Sequence, residues 1–180
     1  MICIADLEGT LTTGSVQVGL ARYRQHTQQA AQTLRPAEVS EWIVEHELWP
    51  RRTPLVELLS HRNADQVRLI ICSTVMADVL EAFSRRLKAE PLIVPVSPAG
   101  EVQVGQTGGR RKAQQVKRYL NGERVDYAFT DSLDDLPLLD LAARPCVVNP
   151  DQRLLSYARA KAWRILNFTQ VGPSVSGLIL

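Results

Sequence analysis

The stretch Val125-Asp126-Tyr127-Ala128-Phe129, followed at once by Thr130-Asp131-Ser132-Leu133-Asp134-Asp135-Leu136-Pro137-Leu138-Leu139, decides the fold. A short apolar run reads as a strand, and the acidic, hydroxyl-bearing loop after it opens toward a helical segment. Four more runs of the same kind lie along the chain: Ile2–Ala5, Val67–Cys72, Leu92–Val96 and Pro145–Val148. Most are continuous rather than alternating, as expected of parallel strands buried on both faces. Helix-like segments fall between them at Val75–Leu87, Arg110–Leu120, Leu133–Ala143 and Arg153–Lys161. In Val75–Leu87 the residues Val75, Val79, Leu80, Phe83 and Leu87 form a helical stripe. Alternation of strand and helix predicts an α/β fold, a Rossmann-like parallel sheet with right-handed crossovers.

One stretch breaks the rhythm. Residues 15–50 carry no strand signal, and Val39, Trp42, Ile43 and Leu48 are spaced like one face of a helix. The segment reads as a small helical insert of two or more helices after the first strand, with Pro36 as a first-turn proline. The expected division is therefore a core of residues 1–14 and 51–180 and an insert of residues 15–50.

The bulk numbers exclude several classes. With 180 residues, 45% hydrophobic and 22% charged, the chain suits one compact domain with a modest insertion. A net charge of +2 is too small to argue for nucleic acid, and the basic group Arg110, Arg111, Lys112, Lys117 and Arg118 reads mainly as a solvated helix face. Cys3, Cys72 and Cys146 lack metal-type spacing and sit in apolar runs, as buried thiols of a reducing compartment do. No stretch has the length of a membrane span, and the N-terminus lacks a leader pattern, so the expectation is a cytoplasmic protein. His26, His46 and His61 read as surface residues, and Trp42 and Trp49 as core of the insert.

Ligands of an open parallel sheet bind at the carboxyl ends of its strands. Asp6-Leu7-Glu8-Gly9-Thr10-Leu11-Thr12 follows the first run, Ser73-Thr74 the second and Thr130 to Pro137 the fourth. Lys112 stands near the start of a helix. Carboxylates, a hydroxyl and a lysine thus converge on one edge. Phosphoryl transfer needs these parts: a carboxylate nucleophile, carboxylates for a divalent cation, and donors for the phosphoryl oxygens. Mg²⁺ is the expected cofactor, held by Asp6 and Asp131. Ser73 and Thr74 also stand where they could cap a helix starting near Val75, and Asp134 reads as a helix N-terminal charge.

These motifs resemble those of the haloacid dehalogenase superfamily. Asp6-Leu7-Glu8-Gly9-Thr10 is similar to its D-x-D-G-T, Ser73 to its second motif and Lys112 to its third. The run from Thr130 to Leu139 resembles G-D-S-x-x-D-x-P-L-L, and Val147-Val148-Asn149-Pro150-Asp151 the family's fifth strand and turn. The insert matches the place of a C1-type cap, as in the phosphoserine-phosphatase-like subgroup. The resemblance implies roles by position. Asp6 would be nucleophile and metal ligand. Glu8 would be the acid/base, with its backbone carbonyl on the metal. Thr10, Ser73, Thr74 and Lys112 would contact phosphate. Asp131 would ligate the metal and Asp135 would support it. Glu8 replaces the usual Asp, as in enolase-phosphatase-like and homoserine-phosphotransferase-like branches, and Thr130 replaces the usual Gly.

The implied activity is Mg²⁺-dependent hydrolysis of a small phosphorylated metabolite. Phosphotransfer to an acceptor alcohol, and a degenerate protein that keeps only the fold, are the alternatives. A receiver domain of two-component signalling fits less well, because nothing acidic directly follows the third run. A true dehalogenase would have no use for so many carboxylates.

Overall fold

The structure is a computed structural model and describes residues 1–28, 35–95 and 108–168. It holds a six-stranded parallel sheet: β1 (Ile2–Ala5), β2 (Arg68–Ser73), β3 (Glu90–Ile93), β4 (Val125–Thr130), β5 (Ala142–Val148) and β6 (Arg164–Leu166). Their spatial order is β3-β2-β1-β4-β5-β6. The chain reverses direction across the sheet between β1 and β4, the place where such sheets leave a crevice for ligands.

Both faces of the central strands are buried, which is why the apolar runs are continuous. Cys3 and Ala5 of β1 join Leu69, Ile71, Tyr127 and Phe129 in one apolar cluster. The intervening Ile2 and Ile4 join Ile70 and Cys72 in another. The first face is covered by α3 (Pro54–Ser60) and α4 (Ala77–Leu87), the latter through Val79, Leu80, Phe83 and Leu87. Val116 and Leu120 of α5 (Gly108–Leu120) close the second face. At the far edge, Leu154 and Ala158 of α7 (Gln152–Ala160) pack on Ala128 and Val147.

Between β1 and α3 lie α1 (Val16–Gln28) and α2 (Pro36–Ile43), the latter running on as a π-helical turn, Val44–Leu48. Pro36 is the first residue of α2, where its missing N–H costs nothing. Val16, Ile43, Val44 and Leu48 share the apolar cluster of β1, β2 and α4, and Trp42 and Trp49 pack against it. The stretch leaves and rejoins the core along a stitched seam. Thr13 N–H donates to Arg51 O at 2.9 Å and Thr53 N–H to Leu11 O at 2.8 Å. The hydroxyls of Thr53 and Thr12 donate to Thr10 O and Leu48 O, both at 2.7 Å.

Several boundaries differ from the sequence reading. The helix expected at Leu133–Ala143 is a 3₁₀ turn (Leu133–Asp135) and one helical turn, α6 (Leu136–Leu139); by Ala142 the chain is already β5. Ala142 pairs with Val125, so tertiary pairing overrides the helical preference of alanine. The third strand starts at Glu90 rather than Leu92, and Val96 lies outside the described residues. The short β6 and α3 have no counterpart in that reading. The three cysteines are free and buried. His26, His46 and His61 are exposed. Among the described residues no helix is long and apolar enough to cross a membrane.

Candidate active site

The register of the central strands gathers the polar residues. Ala5 pairs with Phe129 on one side and Ile71 on the other. Asp6 therefore leaves β1 beside Thr130, with its N–H donating to Phe129 O at 3.0 Å. Ser73 ends β2 and Asp131 follows β4, so all of these stand at one edge of the sheet.

Lys112 reaches this edge because α5 packs unusually close to the 3₁₀ turn. A Cβ on Gly109 would meet Asp134 O at 1.8 Å, so only glycine permits the approach. One turn further along, the buried Lys112 places Nζ 2.9 Å from Asp6 Oδ1 and 2.8 Å from Asp135 Oδ2. Lys117, on the same helix, is exposed.

Asp131 is held from the other side. Its Oδ1 accepts from the Thr10 hydroxyl at 2.8 Å. Its carboxylate also packs on the Gly9 backbone: Gly9 has φ +81°, and a Cβ there would fall 2.0 Å from Asp131 Oδ2. This is the physical need for glycine in the first motif, since both the conformation and the space exclude other residues.

The electrostatics follow from burial. Desolvation pushes the Asp6 carboxyl up to about 6, although Lys112 pulls the other way. Burial also raises Asp131, against the Thr10 hydrogen bond. Burial lowers Lys112, but Asp6 and Asp135 together more than reverse this and hold its ammonium above the ordinary value. Among the described residues, Asp6 and Asp135 share the Lys112 ammonium, and the raised Asp131 stands beside them.

This charge excess and the hard oxygen donors suit Mg²⁺, which takes one or two protein carboxylates and fills its shell with water. Among the described residues no three His, Cys, Asp or Glu side chains form a ready-made metal cluster. A site on Asp6 and Asp131, completed by backbone oxygen and water, fits that restraint.

The remaining expected residues are dispersed. Glu8 points its Oε1 at the N–H of Val16, 2.7 Å away, at the start of α1. Ser73 is buried and Thr74 half-buried at the edge of the sheet, and neither makes a side-chain hydrogen bond to the cluster among the described residues. They do not cap α4 either, whose N-cap is Met76 without a side-chain bond. Asp134 is exposed and donates its N–H to Ser132 Oγ at 3.2 Å. The sequence reading missed the role of Thr130, whose hydroxyl donates to Asp135 Oδ2 at 2.9 Å. Its departure from the usual glycine was the available signal.

Residues 17–140 match the sequence pattern of haloacid dehalogenase-like hydrolases. The chain belongs to that family. The matched span contains Ser73, Lys112, Asp131 and Asp135 of this haloacid dehalogenase-like chain and begins after Asp6 and Glu8. Over 147 residues it is 29% identical to an "Inhibition of morphological differentiation protein" of Streptomyces azureus, covering 73% of this chain and 50% of the relative. Over 143 residues it is 27% identical to a phosphoserine phosphatase of Mycobacterium tuberculosis, covering 73% and 45%. The chain spans about half the length of these relatives. A solved phosphoserine phosphatase–substrate complex has the same fold, with TM-score 0.58, 9% identity and coverage of 86% of this chain and 89% of that one.

Proposed function

We propose that the chain hydrolyses a small phosphate monoester through a phosphoryl intermediate on Asp6. The observation that carries this reading is the buried Lys112 ammonium bridging Asp6 and Asp135 at the switch point of the sheet. Asp6 Oδ1 is held by that ammonium, which orients the carboxylate for attack and opposes charge on the phosphoryl oxygens. Ser73 and Thr74, at the end of the neighbouring strand, would offer further donors to those oxygens, as would Thr10. Mg²⁺ bound by Asp6 and Asp131 would neutralise charge between carboxylate and phosphate.

Glu8 is the acid/base of this reading. Protonated, it gives its proton to the departing alcohol; ionised, it takes one from the water that cleaves the acyl-phosphate. Its carboxylate must leave the N–H of Val16 to do so, which links the step to the first helix of the insert. We assign residues 15–50 as a cap that screens the site and selects the ester. The phosphatase name of the mycobacterial relative agrees with the reaction class.

The test uses an aryl phosphate, whose leaving group needs little acid help. With Mg²⁺ the protein should release phenol, and with a chelator it should not. Glu8→Gln should give a near-stoichiometric burst and one added phosphoryl group by intact mass, labile to hydroxylamine. Asp6→Asn should give neither. Turnover undiminished by Asp6→Asn would refute the assignment.

A further inference from the structure

Thr130 ends β4 and is fully buried. Among the described residues its hydroxyl has two partners, both at the site: Oγ1 donates to Asp135 Oδ2 at 2.9 Å and accepts from Ser132 N–H at 3.2 Å. The same Oδ2 takes Lys112 Nζ at 2.8 Å, and that ammonium lies 2.9 Å from Asp6 Oδ1. An unbroken chain therefore runs from the Ser132 N–H through Thr130, Asp135 and Lys112 to Asp6. Its direction is set by chemistry. A hydroxyl has one proton, an ionised carboxylate only accepts, and an ammonium only donates. With Ser132 N–H occupying a lone pair of Oγ1, the Thr130 proton goes to Asp135.

We infer that Thr130 is a positioning residue, which fixes the Asp135 carboxylate and through it the Lys112 ammonium against Asp6. The inference rests on the reading of Asp6 as nucleophile. Valine has nearly the same shape as threonine, so filling the space does not require a hydroxyl. Without it, Asp135 Oδ2 keeps one donor of two, and the carboxylate can turn about its side-chain bond. Lys112 then follows Asp6 alone instead of bridging the pair, and the Asp6 carboxylate loses its fixed aim. Lys112 stays at the phosphoryl oxygens through Asp6, while the aim of the Asp6 carboxylate is lost, so kcat carries most of the loss and KM little of it.

The experiment compares Thr130→Val and Thr130→Ser with the unaltered protein. Two readouts are used: steady-state hydrolysis of an aryl phosphate, and binding of Mg²⁺ alone, followed by the metal-induced rise in melting temperature. Thr130→Val should lower kcat roughly ten- to a hundred-fold with KM within about three-fold, and weaken Mg²⁺ by a similar factor, the scale of losing an outer partner of a ligand set. Thr130→Ser should restore both to within about three-fold. If Val proves unfolded, Ala against Ser makes the same comparison. Values for Val that match the unaltered protein would overturn the inference, as would a Ser variant impaired as much as Val. Should the unaltered protein turn over no phosphate ester, the nucleophile reading fails by itself, and the Mg²⁺ titration of Val against Ser still decides the role of Thr130.

Discussion

Replacing Asp6 with asparagine should make the metal-free protein more stable while ending its activity. An aspartyl carboxyl ordinarily titrates near 3.8, and burial pushes that of Asp6 up to about 6. The difference, about 2 pH units, is worth about 3 kcal/mol at neutral pH. Its sign follows from proton counting. Between about pH 4 and pH 6 the folded protein holds a proton on Asp6 that the unfolded chain has released. Stability associated with this group is therefore complete below about pH 4 and is lost as the pH rises through about 6. Asparagine resembles the protonated form and escapes that loss, and Lys112 keeps Asp135 as its partner. In a chain of this size about 3 kcal/mol raises the melting temperature by roughly 5–10 °C. The assay is thermal melting of both proteins in chelator at pH 7, 5 and 4. The gain of Asp6→Asn should be largest at pH 7, roughly half as large at pH 5 and small at pH 4. A variant less stable than the parent at pH 7, or a gain independent of pH, would refute the argument that a buried, under-neutralised charge defines this site.

Other substitutions probe the supports of the site. Gly109→Ala would normally strengthen a helix, but its Cβ would meet backbone oxygen of Asp134 at 1.8 Å, so denaturant melts should show a loss of about 2 kcal/mol or more. Lys112→Ala should cut kcat/KM at least as far as losing one transition-state donor, roughly a hundred-fold or more, whereas the exposed Lys117→Ala changes it little; the reverse order would misplace the phosphate-binding lysine. Ser73→Ala should lower kcat/KM roughly ten- to a thousand-fold without shifting the melting temperature by more than about 2 °C, and unchanged kinetics would remove Ser73 from the site.

The central strands were readable because they are buried on both faces, which leaves a run of apolar residues such as Ile2 to Ala5 with little room for ambiguity. That the carboxylates and Lys112 share one edge was readable from the order of strands and loops, but the pairing of Lys112 with Asp6 and Asp135 was not, because it depends on how closely α5 approaches at Gly109. What escaped lies where tertiary contacts decide. Ala142 and Ala143 read as helix because nothing local announces their pairing with β4. The three-residue β6 and the seven-residue α3 are too short to show a period. Nor does Glu8 by itself reveal that its carboxylate meets the N–H of Val16, since that bond spans eight residues of irregular chain.

The stitched seam around Thr13 and Arg51 has a bearing on how such a chain can diversify. The ends of the stretch between them are already held side by side by hydrogen bonds. Changing the number of residues in a closed loop alters its closure entropy only logarithmically, about 0.6 kcal/mol for a doubling. The length of the stretch 15–50 is therefore a weak constraint on the core that carries Asp6, Lys112 and Asp131. The constraint lies instead on Val16, Ile43, Val44 and Leu48, which belong to the same apolar cluster as the sheet. Length is the weak constraint on this segment and its inward face the strict one, so variation that keeps the seam and the apolar face leaves the strand-end carboxylates where they are.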